Sequence, residues 1–183
     1  MNASALPSQL ESILNDIDRS IEARLFYPAV LTSLTIPDIC IALTLPANQS
    51  VKPKHYIYFV DTYAYEQGLG VSGEDCYRLR GGVIHRGDFK GHPQFDWTHV
   101  LFSLPESTNA FHGISVKSYQ GDQTAAMLDL QRFCNAMKEA VCQWYGDNKE
   151  NDLVRNNLSN IISFRPQGVN PFCVGSPVVA SGE

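Results

Sequence analysis

The chain has 183 residues and a formal net charge of −5, with 44% of its residues hydrophobic and 18% charged. That length suits one core rather than two, and the apolar share excludes a disordered chain. The acidic balance excludes a protein that coats nucleic acid through bulk electrostatics, while leaving room for a local basic patch.

Taken in chain order, residues 7–34 place Leu10, Ile13, Leu14, Ile17, Ile21, Leu25 and Phe26 at intervals of three and four, which predicts one apolar helical stripe that Pro28 kinks or restarts. In LTIPDICIALTLP, Thr35 is expected to cap a short buried helix with Pro37 in its first turn, and Pro46 to stop it. The aromatic run KHYIYFVDTYAY (54–65) is expected to be helical, although its β-propensity competes. After GLGVSG, Ser72 or Gly73 begins a helix with Glu74 and Asp75 in its first turn, and Gly87 is its natural left-handed terminator. The segments WTHVLFSLP and GISVKSY alternate with β-rich composition across ESTNAFH and predict a two-stranded hairpin. Asp122 to Tyr145 keeps the helical spacing throughout, with Gly146 closing the end. A last helix is expected over about 152–164. The expected fold is mainly α, an antiparallel helical bundle of five or six helices with a small β-hairpin insertion, in one domain over 1–165. Residues 166–183, rich in Pro, Gly and Ser, form a loosely held C-terminal tail.

The N-terminus lacks a basic segment followed by an apolar run, so no secretory signal is expected. The longest apolar stretches, around 36–45 and 97–104, fall short of the ~20 residues that span a bilayer. A cytoplasmic protein with no membrane partner is expected, and the Asn-x-Ser/Thr matches at Asn2, Asn48 and Asn157 then carry no meaning. The five cysteines, Cys40, Cys76, Cys134, Cys142 and Cys173, include no Cys-x-x-Cys pair and read as reduced core residues.

The stretch YRLRGGVIHRG (77–87) sets Gly81 and Gly82 inside the helix, where each costs about 1 kcal/mol relative to alanine. Without Cβ atoms they let another backbone approach and soften the helix ahead of His85. Arg78, Arg80, Arg86 and Lys90 gather within thirteen residues of an acidic chain. Arginine forks bind phosphate oxygens bidentately, and a histidine can move protons near neutral pH, so the group holds the parts for phosphodiester chemistry. Arg and His also serve helix ends by satisfying terminal carbonyls and the dipole. Arg78 and His85, seven apart, share a helix face; Arg80 and His85, five apart, differ by about 140° in azimuth, so their convergence requires a loosened helix end or a second chain.

GEDCYRLRGGVIHRG resembles the signature of the HEPN superfamily, an arginine followed by four to six residues and then histidine near a helix end. Arg80-x4-His85 and Arg78-x6-His85 both match it. IPDICIAL upstream and the Trp144-Tyr145 pair downstream extend the likeness over roughly 25–146. The resemblance implies a helical bundle that homodimerises with the motif at the interface. It implies a metal-independent endoribonuclease or RNA-binding protein, without cofactor or metal, of the kind found in toxin–antitoxin or antiphage systems with an antitoxin protein as partner. In that reading His85 is the general acid or base on the ribose 2′-hydroxyl, and Arg80 stabilises the charged transition state. Arg78, Arg86 and Lys90 bind the substrate phosphates. The residue after the arginine, commonly polar in active members, is Gly81 here. The alternatives are a non-catalytic dimeric interaction or nucleotide-binding module of the same fold, and a small-molecule sensor with a pocket between helices.

Other constellations are weaker. His85, His92 and His99 recur every seven residues but straddle a helix end, a Gly/Pro loop and a strand, so no shared metal is expected. G-x-x-x-x-G-K-[ST] is absent, which excludes a P-loop. Tyr56, Tyr58, Phe59, Tyr63 and Tyr65 are expected in the core rather than stacked on bases, as are Trp97 and Trp144. Asp61, Asp75 and Asp88 are expected to cap helices or solvate the surface.

Overall fold

The structure, a computed structural model, describes residues 5–89, 97–107 and 111–182. Helix α1 (Ser8–Glu22) buries Leu10, Leu14 and Ile17, one residue per turn. The chain turns through Arg24, whose φ is 59°, and restarts as α2 (Phe26–Leu43). Pro28 falls in the first turn of α2, where its missing N–H leaves no intrahelical bond unmade.

The separate short helix expected from Thr35 does not form, because α2 runs straight through Pro37. Proline in a helix interior forgoes one hydrogen bond and crowds the preceding turn. Here burial outweighs that cost, since Val30, Leu34, Ile36, Cys40 and Leu43 are all nearly inaccessible. The Thr35 hydroxyl, rather than capping a new helix, donates to the carbonyl of Thr32 at 2.8 Å.

The aromatic run is helical as expected, but in three modes. Helix α3 (Pro53–Phe59) passes into a π-turn over Val60–Ala64 and a 3-10 turn over Tyr65–Gln67, and Gly68 at φ 80° ends it. The wide π-turn brings Asp61 Oδ1 within 2.7 Å of the Gly73 N–H, the first amide of α4 (Gly73–Arg86). Ser72 supplies a second cap by accepting from the Asp75 N–H, and Gly87 at φ 65° terminates the helix. Both boundaries of α4 follow the sequence reading.

The β region differs from the expected hairpin. Strands β1 (His99–Ser103) and β2 (Ile114–Lys117) do not pair with each other; β3 (Thr124–Asp129) lies between them, parallel to β1 and antiparallel to β2. Residues 124–129, read as the start of a helix, are therefore a strand. Helix α5 begins only at Leu130, capped by Asp129 Oδ1 on the Arg132 N–H, and runs to Asn148 with Gly146 inside it. One face of β1 and β3 sends Val100, Ala126 and Leu128 into the core, and Phe102 meets Phe133 of α5 edge-on at 5.3 Å.

The last helix, α6 (Asp152–Asn157), is shorter than expected and leads to β4 (Ser163–Arg165). The segment read as a loose tail is paired: β4 with β7 (Val178–Ala180), and β5 (Gly168–Val169) with β6 (Cys173–Val174). The described residues thus form a helix-rich fold with three small sheets. Its core gathers around α2, which contacts α1, α3, α4, α5 and α6. By length and composition α2 would suffice to cross a membrane, and half of it is buried against the chain's own helices.

Candidate functional site

Helix α4 presents the arginine–histidine motif, and its faces separate the residues that the motif joins in sequence. Leu79, Gly82 and Val83 face the core. Arg80 lies beside α2 and is held there: its Nη2 stands 2.6 Å from Asp38 Oδ2, with both side chains about one-quarter exposed. The contact is one of charge rather than an aligned hydrogen bond, and Arg80 Nε is buried without a hydrogen-bond partner among the described residues. The guanidinium also lies over two rings, 5.9 Å from the centroid of Tyr56 and 5.8 Å from that of Tyr77. Tyr56 is wholly buried, donates to the Leu34 carbonyl at 3.0 Å and touches Cys76 Sγ at 3.4 Å.

These surroundings fix protonation states. Burial raises the Asp38 carboxyl above the usual carboxylate range, with Arg80 pulling in the opposite direction. Burial also pushes Tyr56 well above its ordinary value and Cys76 up to about 12, so phenol and thiol both stay neutral and neither is a nucleophile at neutral pH.

His85 is exposed in the last turn of α4, and no described residue hydrogen-bonds its imidazole. It is five residues from Arg80, about 140° around the helix, so one chain does not bring the two together. Arg78, by contrast, lies on the His85 face roughly 10.5 Å along the axis. Arg78 is ion-paired with Glu74 and stands 4.0 Å from Asp75. Arg86 pairs with Asp88 through Nε at 3.1 Å and Nη2 at 3.2 Å. Lys90 lies outside the described residues, as does His92.

The two glycines have different surroundings. A Cβ on Gly82 would stand 3.1 Å from the Asp88 carbonyl oxygen and 3.1 Å from Arg86 Nη2, so this glycine admits the chain's own return after the helix end. No described residue, apart from α4's own backbone, lies within 4 Å of a Cβ built on Gly81. Glu74, Arg78, Gly81 and His85 thus form one stripe at helical spacing with an open notch between the arginine and the histidine.

Sequence reasoning missed Asp38 as the partner of Arg80. A signal existed: Asp38 is the lone charged residue in the eighteen of α2, and an ionisable group in an apolar helix calls for a partner. Of the other singled-out residues, Asp61 and Asp75 belong to the cap of α4, Tyr56, Phe59 and Tyr63 are core, and Tyr58 and Tyr65 are exposed at 60% and 54%. No group of three metal-ligating side chains occurs among the described residues. No family model matches the chain, and no curated protein or solved structure matches it.

Proposed function

We propose that the chain is a HEPN-like helical protein that acts as a homodimer on RNA, with His85 as general acid or base of a metal-independent cleavage. Arg78, together with Arg86, holds phosphate, and Arg80, paired with Asp38 in the free chain, stabilises the developing charge once the substrate draws it away. One observation carries this reading: Gly81 leaves an open notch on the stripe that holds Arg78 and His85. Two copies crossing at that notch would bring Arg78 and His85 of both chains to one groove, doubling the guanidinium and imidazole groups that a single α4 presents. Phosphodiester cleavage would use the imidazole for proton transfer and the arginines for the developing charge.

The test is cleavage of single-stranded RNA in EDTA. The imidazole of His85 is exposed and makes no hydrogen bond to a described residue, so His85→Ala should abolish cleavage while leaving folding and sedimentation unchanged. Cleavage at the wild-type rate by that variant would reject the assignment.

A second reading has its own observation, the engagement of Arg80 by Asp38 and two tyrosine rings. There the motif only holds α4 on α2, and the chain is a dimeric interaction or nucleotide-binding module. That reading expects no cleavage of any RNA, with the dimer lost in Gly81→Leu. Gly81 rather than Gly82 is the position to enlarge, because a side chain on Gly82 would first strike its own chain at Asp88. Sedimentation of the wild-type protein as a monomer would exclude both readings.

A further inference from the structure

A half-open cleft of about 940 Å³ lies away from α4, walled by α1, by the end of α2 with the turn after it, and by the β4–β7 ribbon. Its size is that of a small-molecule site. The walls are mostly apolar, with Ile13 and Ile39 on one side and Ile162, Phe164 and Val179 on the other. Phe164 and Val179 face each other in register across the ribbon, yet remain 64% and 70% exposed. Concave apolar surface left open in this way gains from a guest that removes it from water.

The lining also states what the guest is. It contains one cation, Arg19, and one anion, Asp16, 4.0 Å apart and both largely exposed, so it offers no net charge. Asn157 is fixed by its amide nitrogen, which donates to the carbonyls of Leu43 and Leu45 at 3.0 Å each. Among the described residues the Asn157 Oδ1 receives only a 3.5 Å contact from Asn160 Nδ2, and is left as an acceptor at the cleft wall.

We propose that this cleft binds an uncharged, largely apolar small molecule carrying one hydroxyl or N–H donor, its apolar body against Phe164 and Val179 and its donor on Asn157. The site shares no residue with the α4 stripe, so it stands whether or not the chain cleaves RNA.

The experiment titrates the full chain with two probes of one skeleton: N-phenyl-1-naphthylamine, which is neutral with a single N–H, and its anionic relative 1-anilinonaphthalene-8-sulfonate. The neutral probe should bind saturably at one site, and the sulfonate about tenfold more weakly or worse. Ala42→Trp places a large ring in the cleft from an exposed position, and Phe164→Ser strips its ribbon wall. Each should weaken the neutral probe by about tenfold with circular dichroism and melting temperature unchanged. Equal binding of the two probes, or wild-type binding in both folded variants, would overturn the proposal. So would probe binding that merely tracks self-association in sedimentation, because the cleft would then be a contact between copies.

Discussion

Gly73 stands where α4 meets the π-turn, and a Cβ there would lie 2.6 Å from the Ile57 carbonyl oxygen and 2.7 Å from Asp61 Oδ1. Both are held by the helix they belong to, so Gly73→Ala must push α4 away from α3. The expected cost is about 1–3 kcal/mol, measurable as a lower urea midpoint at unchanged slope. Asp38 gives the second prediction at this scale. Its carboxyl titrates above the ordinary 3.8 in the folded chain because burial outweighs the help from Arg80. Between those two values the folded state binds more protons than the unfolded one, so this residue's contribution to stability falls as pH rises through the window. Asp38→Asn removes the titration. The stability of wild type relative to the variant should therefore decline as pH rises above about 4 and then level off. A difference that stays flat over the whole acid range would show that the carboxyl is not perturbed.

The junction of β3 and α5 shows what a pattern of apolar residues can and cannot decide. Met127, Leu128 and Leu130 fit a helix extending back to residue 122, and alanines at 125 and 126 favour helix intrinsically. Pairing with β1, whose residues lie 26 positions earlier, overrides that local preference by supplying a ladder on each side of β3. Such long-range pairing leaves no mark in a window of a dozen residues. Pro37 misleads in the same way, since only the burial around α2 makes an interior proline tolerable. Caps, by contrast, are local, which is why Ser72, the acidic first turn and Gly87 marked α4 correctly. The site was legible to the same degree. The arginines and His85 stood out on α4, and Tyr77 lies one turn before Arg80 on the same helix, while Asp38 of α2 and Tyr56 of α3 reach Arg80 only through folding. Asp129→Ala isolates the junction: it deletes the 2.7 Å cap on the Arg132 N–H and should cost about 1 kcal/mol in chemical denaturation.

Across the molecule, four of the five cysteines report how the core is sealed. Cys40, Cys76 and Cys134 are buried, and burial raises all three thiols, Cys134 to about 11 and Cys76 to about 12. Cys142 is exposed on α5. At neutral pH a thiol reagent should modify Cys142 in the native protein and reach Cys40, Cys76 and Cys134 only as the chain unfolds, as peptide mapping after timed labelling would show. Fast native labelling of Cys76 would contradict the packing of α4 on α3. That packing also sets a rule of length. The turn at Val60–Ala64 accommodates one residue more than a regular α-helix would. Removing Thr62 or Tyr63 would let the segment wind regularly and close the wide turn that sets the Asp61 carboxylate against the amide it caps. Variants of this protein, natural or engineered, should therefore gain and lose residues in their loops and keep a constant count from Pro53 to Gly73.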